Sequence, residues 1–389
     1  MMDTSPQKAS LNIVADENIP GLEAWFADLG VITRAPGRTL TKSQLAEADV
    51  LLVRSVTQVD AALLEGTPVR FVGSCTIGTD HLDTGWLESR GIHWSAAPGC
   101  NANSVVEYVF CALAALDVDW RERSFGIVGC GNVGGLLQQR LKALGIPCKI
   151  YDPWLPDNPD AAELDAVLQQ DVICLHAPLV KDGPHPSLHM IDADALRRIK
   201  PGAVLISAGR GAVIENQALF DRFSEAQSGA HLVDERPFTA VLDVWENEPD
   251  IRLDLLQKVN LGSPHIAGYS HDGKLAGTSM IRQALNKALE LPPLSEVKAE
   301  DLARQPLATG ESGFAAIRAL LLQMYDPRED DRRLREAGSA ALAGGTPMAE
   351  AFDRLRKQYP KRLEFSHYRL EAPNLDAETR QQLEILGLT

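Results

Sequence analysis

A chain of 389 residues with 45% hydrophobic and 23% charged content can hold two or three domains with sizeable cores, and its composition excludes a disordered protein. A net charge of −15 opposes nonspecific attraction to nucleic acid or to an anionic membrane, so an anionic ligand needs a local cation. The six cysteines, at 75, 100, 111, 130, 148 and 174, contain no C-x-x-C pair; no metal site follows from them, and they suit buried thiols in a reducing cytoplasm.

Met1 to Ser10 is polar and lacks an apolar signal core, so the start reads as part of a cytoplasmic protein. Short apolar runs then alternate with helical ones. Leu11 to Val14, Val50 to Val53 and Phe71 to Val72 read as strands, with helices near Gly21 to Leu29 and Asp60 to Leu64. Such alternation predicts a parallel sheet. Asn103 to Leu116 reads as a long helix; within it, the apolar run Val105 to Leu116 carries Glu107 and is too short to span a bilayer.

Next comes G-x-G-x-x-G, formed by Gly129, Gly131 and Gly134 between an apolar strand and an apolar helix. Gly129 permits the tight turn, Gly131 lets backbone approach a pyrophosphate, and Gly134 lets the helix pack on the strand. The helix start at Asn132 and Val133 offers unpaired amides and a positive dipole end to phosphates. Lys149 to Asp152 reads as a second strand ending in an acid about 20 residues after Gly131, the spacing at which a carboxylate accepts ribose hydroxyls. Asp152 thus favours NAD over NADP; its plainer reading is an acid opening the turn before Pro153.

Strands at Val172 to Leu175, Ala203 to Ser207, Ala240 to Val244 and Val259 to Leu261, with helices at Ala193 to Arg198 and from Asn216, complete a doubly wound sheet. Residues just after its strands have the strongest claim to function. Arg210 follows one strand on a flexible glycine-flanked turn, A-G-R-G, where a guanidinium can bind a carboxylate through two parallel hydrogen bonds; a surface ion pair is the alternative. His265 follows another, and its ring can shuttle a proton near neutral pH if a carboxylate orients it; the alternative is a structural histidine. Glu248, in D-V-W-E-N-E-P, also follows a strand, and by itself reads as a solvated loop acid. Asp243, ending that strand, is a candidate acceptor for the nicotinamide carboxamide or a turn cap.

Leu291-Pro292-Pro293-Leu294 reads as a linker to a third region of alternating helical and strand-like runs. Its arginines, among them Arg328, Arg332, Arg333, Arg335, Arg354, Arg356 and Arg362, read as solvated faces and ion pairs.

Arg210 in A-G-R-G, Glu248 in D-V-W-E-N-E-P and His265 in P-H-I-A-G, in that order after a fitting glycine loop, resemble the Arg, Glu and His of the D-isomer-specific 2-hydroxyacid dehydrogenase family. The resemblance implies an α/β chain in which a Rossmann NAD-binding domain is inserted into a flavodoxin-like substrate domain, followed by a C-terminal α+β dimerisation domain. The boundaries expected are 1–103 and 267–292 for the substrate domain, 104–266 for the NAD-binding domain and 293–389 for the dimerisation domain. Finer motifs are similar to the branch that oxidises 4-phospho-D-erythronate to 2-oxo-3-hydroxy-4-phosphobutanoate for pyridoxal 5'-phosphate: A-D-E-N-I-P from Ala15, V-R-S-V-T from Val53, G-T-D-H from Gly78, A-A-P-G-C-N-A from Ala96, V-E-Y-V-F from Val106, H-I-A-G-Y-S from His265 and Y-D-P-R-E-D-D from Tyr325.

By matching position, the resemblance makes Arg210, Glu248 and His265 catalytic, gives Ser55, Thr76 and Tyr269 to the substrate, and gives Asn132, Val133, Asp152, Asp243 and Gly268 to NAD beside the three loop glycines. It further implies a homodimer, with no nucleic-acid or membrane partner. Two departures stand out. Ala177 replaces the hydroxyl residue usual in H-x-P, and Ser224 to Pro237 is longer than the usual connection, predicting a surface loop. The alternatives are another 2-hydroxyacid dehydrogenase, such as one for 3-phosphoglycerate, and an NAD-sensing corepressor-like binding protein.

Overall fold

The computed structural model describes residues 10–227, 237–292 and 304–388. The chain forms two units, and the first is discontinuous: it combines the stretch up to Asn101 with the stretch from His271, while Ala102–Ser270 and the C-terminal segment make the second. The polar start before Ser10, the second half of the expected linker (Pro293 and Leu294) and most of the expected loop before Pro237 lie outside the described residues. Within that loop, the helix Asn216–Gln227 runs past Ser224.

In the first unit, strands β1 (Leu11–Asp16), β2 (Gly30–Ala35), β3 (Val50–Val53), β4 (Phe71–Ser74) and β5 (His93–Ser95) form a parallel sheet ordered β2-β1-β3-β4-β5, the flavodoxin-like order. Every residue of β3 and β4 is buried, as expected of strands covered on both faces. The returning helix His271–Ala288 covers one face with Ile281 and Leu285, and it sits so close that a Cβ at Gly73 would stand 2.3 Å from the Ile281 side chain. β2 and β5 were not legible as strands. Both are at the edges of the sheet, and five of the six residues of β2 are only partly covered or less, as the edge position allows.

The second unit holds β6 (Phe125–Val128), β7 (Cys148–Tyr151), β8 (Val172–Leu175), β9 (Val204–Ser207), β10 (Thr239–Leu242) and β11 (Leu261–Gly262), all parallel and ordered β11-β10-β9-β8-β6-β7. Beyond β7, Ala161 adds a single parallel bridge to Ile150, the remnant of an outer strand. The reversal of strand order lies between β6 and β8, where open α/β sheets bind ligands.

The C-terminal segment adds the strands β12 (Gln305–Leu307) and β13 (Tyr368–Leu370), paired in parallel, and four helices. Helix Pro327–Leu342 begins on Asp326, whose carboxylate accepts the Arg328 amide, with Pro327 in its first turn. Helix Gly313–Met324 packs on Ala102–Ala115 around Trp120, whose ring meets Phe110 and Phe314 edge-on at 5.3 and 4.9 Å.

The arginines here correct the solvated-face reading in part. Arg328 and Arg332 are in exposed pairs, as expected. Arg335, however, donates to the carbonyls of Leu256 and Val259 at 2.6 and 2.9 Å, and its partner Asp331 accepts the Gly262 amide at 2.7 Å. Arg362 is buried, donates to the Ser104 and Ala267 carbonyls and lies 4.4 Å from the Tyr325 ring centroid. A sequence window shows an arginine-rich amphipathic helix; which arginines are covered depends on what packs against it.

Candidate active site

The glycine loop behaves as its residue types require. Gly129 has φ +85°, and a Cβ there would stand 2.6 Å from the Ala177 backbone. At Gly134 a Cβ would stand 2.1 Å from the Gly129 carbonyl oxygen, so only glycine lets this helix start so near its strand. At Gly131, by contrast, a Cβ would meet nothing within 4 Å, which leaves the space over the middle glycine to a ligand. Helix Asn132–Ala143 starts with no side-chain cap on its amides, Asn132 and Val133 being its first residues. Uncapped amides, a positive dipole end and open space fit the pyrophosphate of a dinucleotide.

Asp152 lies just past β7. Its Oδ2 accepts the Cys130 amide at 2.8 Å and its Oδ1 the Trp154 amide at 3.0 Å. The acid therefore has a structural task beside the one read from its spacing: it braces the glycine loop from the neighbouring strand end.

At the end of β9, Gly209 lies against His176 and Ala177, and Gly211 against Trp245, where a Cβ would stand 2.0 Å from the carbonyl carbon and oxygen. This corrects the expectation of a flexible turn. The glycines around Arg210 allow close approach to the two neighbouring strand ends, and the turn is wedged between them. Arg210 is only partly buried, has extended backbone and donates from Nη1 to the Gly209 carbonyl at 3.1 Å.

His265 and Glu248 meet. Nδ1 of His265 is 2.7 Å from Oε2 of Glu248, and Oε1 of the same carboxylate accepts the Trp245 amide at 2.7 Å. Burial pushes the Glu248 carboxyl up, but the His265 charge and hydrogen bond, the Trp245 amide and the Arg356 charge outweigh it and hold the group below its ordinary 4.5. His265 has φ +57°, an uncommon value outside glycine, stabilised by its amide's 2.7 Å bond to the Asp243 carbonyl.

Asp243 follows β10 instead of ending it, and it is buried. Its Oδ1 accepts Ser263 Oγ at 2.6 Å and the Ile266 amide at 2.8 Å; its Oδ2 accepts the Ala267 amide at 3.0 Å. Each such bond to a charged acceptor contributes roughly 1.5–3 kcal/mol, enough to fix the turn from His265 to Gly268. Tyr108 shares a hydrogen bond with Ser263 Oγ at 2.8 Å, joining helix Ala102–Ala115 to this network. Of the two readings for Asp243, the turn cap is the one with observed donors.

Tyr269 follows the loop, its amide donating to the Ile266 carbonyl at 2.8 Å. Ser55 and Thr76 belong to the first unit. Ser55 is exposed after β3, and Thr76 follows β4 with its Oγ1 2.8 Å from Ser74 Oγ. Three further residues were given no role at the site by the sequence reading. His176, after β8, is partly buried, with both ring nitrogens covered and without a hydrogen-bond partner, and their burial pushes its pKa down to about 4. Tyr108 lies within V-E-Y-V-F in the middle of an apolar helix and Arg356 in a helix full of charges, and neither setting marks a role at the site.

The model of the D-isomer specific 2-hydroxyacid dehydrogenase NAD binding domain matches residues 113–267, which contain the glycine loop, Asp152, Arg210, Glu248 and His265; the cofactor is NAD. Residues 303–387 match a family described as a domain of unknown function, DUF3410. The chain is 50% identical over 383 residues to an erythronate-4-phosphate dehydrogenase of Cellvibrio japonicus, covering 97% of this chain and 99% of that one. It is 44% identical over 376 residues to one of Teredinibacter turnerae, covering 94% and 96%. Among solved structures, NAD+-bound 3-phosphoglycerate dehydrogenase of Entamoeba histolytica shares the fold, with TM-score 0.60 and 18% identity over 72% of this chain and 96% of that one. Near-complete coverage at such identity, together with the glycine loop and the His265–Glu248 pair, places this chain in the erythronate-4-phosphate dehydrogenase family, within the D-isomer-specific 2-hydroxyacid dehydrogenases.

Proposed function

We propose that the chain oxidises 4-phospho-D-erythronate at C2 with NAD, giving 2-oxo-3-hydroxy-4-phosphobutanoate on the route to pyridoxal 5'-phosphate. The observation that carries this reading is identity of 44–50% to dehydrogenases of that name over nearly the whole chain, C-terminal segment included. The geometry supplies the chemistry. Arg210 holds the C1 carboxylate by paired hydrogen bonds and polarises the C2 oxygen. His265 takes the C2 hydroxyl proton on Nε2, because Nδ1 is engaged by Glu248, and the ionised Glu248 favours the imidazolium that results. NAD, when bound, accepts the hydride from C2. Asp152 and the loop at 129–134 would hold NAD, with Asp243 and Gly268 as further contacts, while Ser55, Thr76 and Tyr269 would pair substrate oxygens.

In the same reading the enzyme is a cytoplasmic homodimer associating through residues 304–388. Six cysteines without a disulfide support a reducing compartment. Among the described residues no helix is long and apolar enough to cross a membrane. Sedimentation velocity tests the dimer, and a monomer at micromolar concentration refutes it.

The deciding experiment is NADH formation with 4-phospho-D-erythronate and with 3-phosphoglycerate. We expect kcat/KM to favour the former by orders of magnitude, and His265→Ala to lose roughly 100-fold or more in kcat with NAD affinity kept. Equal use of both acids, or unchanged turnover in the variant, sinks the reading.

A further inference from the structure

Helix Met348–Lys357 places an arginine beside the residue that closes the histidine loop. The guanidinium carbon of Arg356 is 5.5 Å from the centroid of the Tyr269 ring, and on another side Tyr359 meets that ring edge-on at 5.9 Å. Tyr359 is itself anchored by its hydroxyl, which donates to Asp330 at 3.0 Å. Tyr269 is thus gripped by two residues of the C-terminal segment.

Nε of Arg356 is buried and has no hydrogen-bond partner. Its side chain shares a hydrogen bond with Tyr269, and the charges of Glu248 and Asp353 act on it as well. An unsatisfied buried donor on a cation is costly, and a ligand can supply the partner that Nε lacks. The planar five-donor group matches the oxygens of a phosphoryl group better than any other side chain does.

We propose that Arg356 receives the phosphate of the substrate, with the Tyr269 hydroxyl as a neighbouring donor. The inference rests on the reading under Proposed function, and it adds what that reading lacks, a cation for the second anionic end. Arg210 at the end of β9 takes the carboxylate, and Arg356, on the C-terminal segment beside Tyr269, takes the phosphate. The division fits the chain's organisation. The domain model common to 2-hydroxyacid dehydrogenases ends at residue 267, whereas Arg356 falls in the separate match at 303–387. The residues common to the reaction are in the first stretch, and the residue that selects a phosphorylated acid is in the second.

The test compares wild type, Arg356→Ala and Arg356→Lys on 4-phospho-D-erythronate and on unphosphorylated D-erythronate. Loss of a charged hydrogen-bond donor in a half-buried site lowers kcat/KM for the phosphorylated acid on the order of 10- to 100-fold, mainly through KM. The unphosphorylated acid should lose several-fold less than the phosphorylated one, and Arg356→Lys, which keeps the charge beside Glu248, should restore part of the loss. An equal fall for both acids overturns the proposal, because it marks a structural role. If wild type fails to turn over the phosphorylated acid, the functional reading falls instead. Calorimetric titration with inorganic phosphate then still decides the site: binding weakened by Arg356→Ala supports it, and unchanged binding overturns it.

Discussion

One carboxylate of Glu248 holds two partners at once, the His265 ring at 2.7 Å and the Trp245 amide at 2.7 Å. The second bond stops the carboxylate from rotating away, so the imidazole is fixed in tautomer and direction. Glu248→Gln keeps the shape and removes the charge. We expect kcat for NADH formation to fall roughly 10- to 100-fold while NAD affinity, read by fluorescence titration, stays within about twofold. Unchanged kcat would show that the pair is only structural.

Gly211 and Trp245 are in backbone contact, with room for no Cβ between them. Gly211→Ala must therefore separate the Arg210 turn from the loop that carries Glu248. Overpacking of this kind costs about 1–3 kcal/mol, which urea denaturation should report. Because Arg210 is displaced with the turn, KM for the substrate should rise as well. Native stability together with native KM would contradict the wedged turn.

His176 is a base whose covered ring nitrogens are kept neutral by desolvation, with its pKa lowered from 6.5 to about 4. A lowered base makes the unfolded chain the better proton binder between those values. Its contribution is therefore complete above pH 6.5, is lost as pH falls toward 4, and changes no further below that. The full effect is on the order of 3 kcal/mol. Asp171, lowered from 3.8 to about 2 by Lys200 and the Ser124 amide and hydroxyl against the effect of burial, acts only at lower pH, so the two windows separate. Denaturation of His176→Leu across pH 7 to 4 should show a flatter profile than wild type; the same slope in both proteins would remove His176 as its source.

Much of the fold was legible because its signals are local. Fully buried parallel strands are short apolar runs, and β3, β8 and the helix Ala193–Arg198 fall where periodicity puts them. The edges β2 and β5 lack that signal, since an edge strand takes much of its definition from the neighbour it pairs with.

The sequence by itself determined the dinucleotide loop and the order of Arg210, Glu248 and His265 along the chain. Glycine spacing and strand-end position are backbone constraints written into consecutive residues. Only the tertiary structure decided that Glu248 reaches His265 across 17 residues, that Asp243 caps the histidine loop, and that Arg356 reaches Tyr269. Those relations depend on which side chains are covered and which remain unpaired once the segments pack. Burial and pairing are properties of the assembled chain, so charged residues of identical type, such as Arg332 in exposed pairs and Arg356 with its Nε unpaired, look alike until it has folded.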